Sequence, residues 1–234
     1  MKLKNHLKIL FTSLFIFSFL SKTEAQNSDK KAIEIAKKTM QAMGGVENWN
    51  RVHYIKWDFA QRTLHWDKWS GDVRVESKKD DLILFVNINT NKGKAFKKGE
   101  LISDKKETQK LIKKAKNWWI NDSYWLTMPW KLLDPGVTLT YSRIENNSEV
   151  LQMTFENVGN TPINKYEIFI DKKSNLVIQW SFFKNFNDTT PKFTKPWDNY
   201  QKLNNVLLSF NRSDFGPKNV VCKQEINTKI FSEL

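Results

Sequence analysis

The chain has 234 residues, 13% of them aromatic, with a single cysteine, eight glycines and a formal net charge of +13. One cysteine excludes a disulfide scaffold and so few glycines leave no phosphate-cradling loop, so stability has to come from an apolar core. The charge favours anionic partners such as acidic lipid headgroups and also keeps an exported chain soluble; nucleic acid is not expected among the partners.

Lys2, Lys4 and Lys8 precede an apolar run, Ile9 to Leu20, that is too short to span a bilayer. This is the pattern of a secretory signal peptide over residues 1–25, with Thr23 and Ala25 as the small residues before a cut after Ala25. No cysteine follows to accept a lipid. Residues 26–234 are therefore expected as one exported domain of net charge about +10, periplasmic or extracellular, neither membrane-spanning nor lipid-anchored.

Ser28 is placed to cap a helix over Asp29 to Met43, with Ile33, Ala36, Met40 and Met43 on one stripe and Gly44 at its end. From Val52 the period changes to two. Ile55, Trp57 and Phe59 alternate with Lys56 and Asp58, and Val73 and Val75 with Asp72, Arg74 and Glu76, which predicts half-buried antiparallel strands. A longer strand over Leu82 to Thr90 and a hairpin turning at Lys98-Gly99 follow. Asp104 and Glu107 then open a lysine-rich helix in which Leu111, Ala115, Trp118 and Trp125 share a face, until Pro129 breaks it.

Past Pro135-Gly136 the pattern is strand after strand, with turn signals at Asn146-Asn147, 159–162, 171–175 and 211–217. Val137, Leu139 and Tyr141; Leu151, Met153 and Phe155; Tyr166, Ile168 and Ile170; Ile178, Trp180 and Phe182; and Val206, Leu208 and Phe210 each mark an apolar face. About eleven strands with helices at only two places predict a mainly β (α+β) chain: a large curved antiparallel sheet forming an incomplete barrel, with the helices as a lid on the concave side.

Residues 118–141 concentrate four tryptophans at the end of the central helix. Aromatic side chains bury large areas at little entropic cost, so the cluster reads either as a core plug or as the wall of an apolar pocket. Trp57, Phe59, Trp118, Trp119, Trp125, Met128, Trp130 and Trp180 are the candidate ligand-binding residues. Chemistry is otherwise sparse. Only His53 and His65 follow the leader, in no zinc-binding spacing; His65 near Asp67 reads as a surface strand histidine; Cys222 reads as a buried, inert thiol; and no nucleophile elbow is present. No catalytic residue, metal or cofactor is expected.

At Met43-Gly44-Gly45-Val46-Glu47-Asn48-Trp49 the chain resembles secreted Gram-negative proteins of the outer-membrane lipoprotein-sorting (LolA/LolB-like) superfamily. Asn121-Asp122-Ser123-Tyr124-Trp125, Met128-Pro129-Trp130-Lys131-Leu132 and Asp134-Pro135-Gly136-Val137-Thr138-Leu139 look like the signature of an uncharacterised branch of it, continued by Thr154-Phe155 through Asp171. The resemblance implies a single half-barrel over 26–234 whose helical lid covers an apolar cavity for acyl chains. It points to a non-enzymatic carrier of a lipid or acylated ligand. Two other readings stand beside it: an envelope hydrolase using Asp67 and His65, and a basic envelope assembly protein that docks on an anionic membrane surface. If the cluster is both plug and wall, the helix is hinged, and Trp125→Ala weakens ligand retention more than folding.

Overall fold

The computed structural model describes residues 28–234 except Asn157 and Asp214; the expected leader lies outside them. Two helices, α1 (Lys30–Ala42) and α2 (Val46–Arg51), open the fold. Six strands follow: β1 (Tyr54–Phe59), β2 (Arg62–Asp67), β3 (Asp72–Ser77), β4 (Leu82–Asn87), β5 (Lys92–Lys97) and the two-residue β6 (Glu100–Leu101). The long helix α3 (Lys105–Thr127) runs into a 3-10 turn, Met128–Lys131. After it come β7 (Val137–Glu145), β8 (Ser148–Phe155), β9 (Lys165–Asp171), β10 (Val177–Phe183), β11 (Phe193–Pro196), β12 (Asp198–Leu203), β13 (Val206–Asn211) and β14 (Lys218–Lys223).

All the pairings are antiparallel. Seven strands form one sheet in the order β14-β1-β2-β3-β4-β5-β6, five form a second in the order β11-β10-β9-β8-β7, and the β12–β13 hairpin forms a third, with β12 lying against β14 and β10. The ladders do not close into a barrel, as the strand pattern anticipates. Among the described residues fourteen strands stand where about eleven were expected, because short pieces such as β11 carry too little alternation to be read. Asparagine sets two of the tight turns: Asn146-Asn147 joins β7 to β8 and Asn204-Asn205 joins β12 to β13, all four with positive φ.

One expected stripe breaks. The pairing of β10 with β9 shifts between Val177 and Gln179, so Val177 is buried and Ile178 turned outward, where unbroken alternation had put Ile178 inside with Trp180. At the N-terminus, the Ser28 side chain does not cap α1. Its Oγ accepts from Leu139 N at 2.8 Å and Asp29 Oδ2 accepts from Tyr141 N at 2.8 Å, so this segment pairs along the free edge of β7.

Two cores result. The larger lies between the seven-stranded sheet and α3, and joins Ile55, Trp57, Leu64, Val75 and Leu84 to Ile112, Ala115, Leu126 and Trp130. The smaller lies over the five-stranded sheet and joins Leu139, Leu151, Met153 and Ile168 to Ala32, Ala36, Met128 and Leu132. Helix α3 is capped as predicted, with Asp104 Oδ1 accepting from Glu107 N at 2.7 Å. Its expected face packs against the larger core, with Ala115 fully buried and Leu111, Trp118 and Trp125 partly so, and Ile112 enters beside them. Gly93 of β5 makes room for it, because a Cβ there would collide with the Phe85 carbonyl and with Ile112.

Candidate functional site

The helix that was expected to lid the concave sheet is packed down on it, and the cavity lies on its other side. Between the C-terminal half of α3, the strands β7 to β10 and the loop at 158–161 is a pocket of about 230 Å³. It is larger than the roughly 150 Å³ apolar cavity that accommodates a benzene ring. That is room for a ring or a short acyl segment.

Its wall is a belt of rings. Trp125 meets Trp180 edge-on at 4.9 Å, Trp180 stacks on Tyr166 at 5.1 Å, Tyr166 meets Phe155 at 5.5 Å, and Phe155 meets Tyr124 at 6.0 Å. Tyr124 and Trp125, the two ends of this row of rings, are neighbours on α3 and both line the pocket. Burial raises both tyrosines, Tyr166 to about 12 and Tyr124 further, so both are neutral phenols at any physiological pH. The Trp119 and Trp180 indole N–H groups are buried without a hydrogen-bond partner in the described residues.

One end of the pocket is charged. The Lys131 ammonium lies 5.6 Å from the Trp119 ring, 5.9 Å from Tyr124 and 5.9 Å from Trp66, and pairs with Asp134 at 3.3 Å. Lys68 sits nearby with its ammonium 4.9 Å from the Trp49 ring; burial holds it below the usual lysine value, and the Lys131 charge acts in the same direction. These positions follow from the 3-10 turn after Pro129, which brings Lys131 and Asp134 round under α3.

Three of the candidate residues, Trp119, Trp125 and Trp180, line this pocket. The others lie elsewhere. Trp57 is fully buried in the larger core, Met128 in the smaller one, and Trp130 is stacked on Trp49 at 4.9 Å. Phe59 packs on Trp125 at 5.5 Å and faces a separate cleft beside the β1–β2 turn. Trp118 is partly buried against the larger core, beneath Arg62 and Lys114 at 5.0 and 4.5 Å. Sequence reasoning missed Tyr124, Phe155, Tyr166, Lys131 and Asp134 as wall residues. Phe155 and Tyr166 were legible as apolar strand positions, but nothing in the pattern said which strands face α3.

The helix is tethered on both sides. Arg62 at the start of β2 forks onto Asp122 with bonds of 2.8 and 2.9 Å, burial raising the Asp122 carboxyl while Arg62 opposes it. Lys116 donates to Ile88 O at 2.7 Å and to Asn91 Oδ1 at 2.6 Å. The third tether follows from Pro129. Proline has no N–H to give the Trp125 carbonyl, and Arg212 Nη2 donates to it instead at 2.8 Å. Arg212 is wholly buried, 3.2 Å from the Trp197 ring centroid, and burial lowers it to about 9.

The acid/base alternative takes a different shape here. His65 was expected at the surface, but it is 7% exposed, because the outer face of β2 is covered; its Nδ1 bonds the Tyr54 hydroxyl at 2.7 Å and its Nε2 lies 3.5 Å from Glu76. Asp67 pairs with His53 at 3.0 Å and accepts from the backbone of Trp69 and Ser70. The two residues thus belong to separate structural contacts. Cys222 is buried and its thiol pushed up to about 12 by burial, which suits an inert position. Among the described residues no three His, Cys, Asp or Glu side chains gather as a metal site, and no helix is long and apolar enough to cross a membrane.

No protein-family profile matches the chain, and no curated protein matches it in sequence. Solved structures similar to it include a DUF1329 family protein from Desulfovibrio piger, with 9% identity, a TM-score of 0.44, and coverage of 88% of this chain and 98% of that one. A domain named for outer membrane lipoprotein sorting, from Vibrio parahaemolyticus, is 9% identical with a TM-score of 0.36, over 86% of this chain and 96% of that one. The functional reading rests on the geometry of the pocket.

Proposed function

We propose that residues 26–234 form a single exported domain that binds and carries a hydrophobic ligand, a lipid or acylated molecule, without catalysing a reaction on it. The observation that carries this reading is the row of contacting rings, Tyr124, Phe155, Tyr166, Trp180 and Trp125, that lines a pocket of about 230 Å³. Burying acyl carbons contributes about 0.8 kcal/mol per methylene, so a short inserted segment is held reversibly, as a carrier requires. The pocket takes part of a chain rather than a whole lipid, and the remainder would lie along its rim.

Displacement of a fluorescent fatty acid, with native mass spectrometry of the loaded protein, tests the reading. Val158 lines the pocket on the loop side, and Val158→Phe should fill it, lowering affinity about tenfold or more with little change in unfolding midpoint. Failure of the parent protein to take up any apolar probe sinks the reading.

A second reading has an observation of its own: Lys105, Lys106, Lys110, Lys113 and Lys114 all stand exposed on α3. Such a face fits docking on an anionic membrane surface, and binding to vesicles that contain phosphatidylglycerol should then fall steeply with salt.

A further inference from the structure

The pocket has two chemically different ends. The rings from Trp125 to Phe155 are the apolar end, whereas Lys131 gathers Trp119, Tyr124 and Asp134 about it at the other. The ion pair there is lopsided: the Lys131 side chain is 16% exposed and that of Asp134 is 45% exposed. A solvated carboxylate paired with one lysine across 3.3 Å is weakly held, since water competes for it and the long side chains lose entropy. The lysine is the reverse case. It is shielded from water by Trp66, Trp119 and Tyr124, and Asp134 is the one carboxylate with which it forms an ion pair among the described residues. Lys68 adds a second positive charge close by, itself without an ion pair there. A partly desolvated cation beside a weak counter-ion, at the end of an apolar pocket, is the arrangement that an acid on a hydrocarbon tail satisfies.

Resting on the carrier reading above, we propose that the ligand is a monoanionic amphiphile, a fatty-acid carboxylate by class, whose acid group takes the place of Asp134 at Lys131 while its tail lies within the aromatic belt. Both interactions are needed for the selectivity. The belt alone would take an alcohol, an acid or a quaternary amine with the same tail, because ring faces accept cations as readily as hydrocarbon. Lys131 breaks that tie by attracting a carboxylate and repelling an ammonium group. Asp134 works against the ligand, since it must be displaced.

The test is calorimetric titration of the whole chain with octanoate, octanol and octyltrimethylammonium, three probes that differ only at the head. Octanoate should bind about tenfold more tightly than octanol, the size of one charge-assisted hydrogen bond in a partly dry site, and the ammonium probe should bind most weakly. Lys131→Met, of similar length and apolar, should bring octanoate and octanol within about twofold of each other. Asp134→Asn should tighten octanoate relative to octanol and weaken the ammonium probe. Equal binding of acid and alcohol by the parent, a preference for the ammonium probe, or an acid preference that survives Lys131→Met would each overturn the proposal and leave the carrier reading standing. Binding of none of the three would overturn both.

Discussion

Burial of His65 makes stability depend on pH in a defined window. Desolvation first, with the charges of Arg74 and Lys56 acting alongside it, lowers its pKa from 6.5 to about 4, although Glu76 pulls the other way. The depressed value in the folded state means that the neutral ring is favoured there, so its contribution is present above pH 6.5 and is lost as pH falls toward about 4. The loss is at most about 3 kcal/mol. Urea midpoints measured from pH 7 to pH 4 should fall, and His65→Gln should flatten the curve across that interval; an unchanged slope would exclude His65 as its source. Trp125 illustrates the opposite situation, of one residue with two roles. Its ring meets Phe59, Trp180, Phe193 and Phe215 within 6.0 Å, so Trp125→Ala removes core packing together with pocket wall. The expected separation between ligand retention and folding is better sought at Val158.

At the scale of elements, α3 and its exit carry the argument. Pro129 leaves the Trp125 carbonyl without its helical donor, and Arg212 supplies one from beyond β13. Arg212→Met should therefore destabilise the protein by about 1–3 kcal/mol, the consequence of leaving a buried carbonyl unpaired. In the Pro129→Ala background the loss should be smaller, because residue 129 regains an N–H; a double-mutant cycle in denaturant measures the coupling, and strict additivity would deny the link. The helix itself was legible in the sequence, from Asp104 as cap to Pro129 as breaker, and so were most strands from their alternation. Arg212 was not, since a lone arginine after a strand reads as solvated until the chain 87 residues earlier is brought beside it. The shift at Val177 was equally hidden: a bulge reverses inside and outside without altering the composition of the strand.

The whole molecule is a gapped double sheet with a helix clamped between its halves. Tethers at Arg62–Asp122, Lys116–Ile88 and Arg212–Trp125 argue against α3 swinging as a hinged lid, whereas the loop at 158–163 stands largely outside both cores, held by Asn160 to the Asn117 carbonyl and by Asn164 to that of Lys184. Ligand entry is accordingly expected through this loop. Amide hydrogen exchange should show residues 112–126 opening only with global unfolding and residues 158–163 exchanging orders of magnitude faster. Protection of α3 no greater than that of the loop would restore the hinge. Periodicity pointed to one large curved antiparallel sheet left open as a barrel, but neither its division into separate sheets nor the side of α3 on which the pocket lies was readable, the latter because both faces of that helix carry tryptophan.

The pairing of Ser28 and Asp29 with β7 also bears on how copies of the protein behave toward one another. An uncovered outer strand offers its amides and carbonyls to any neighbour, and here two residues ahead of α1 occupy that position at Leu139 and Tyr141, while Lys31 lies 3.3 Å from the Tyr141 ring centroid. A chain shortened to begin at Lys30 should keep its fold yet lose its reluctance to self-associate, with light scattering showing mass that grows with concentration. Ser28 and Asp29 would then be a guard against self-association, and two residues at a sheet edge would matter as much for solubility as the lysines on the surface.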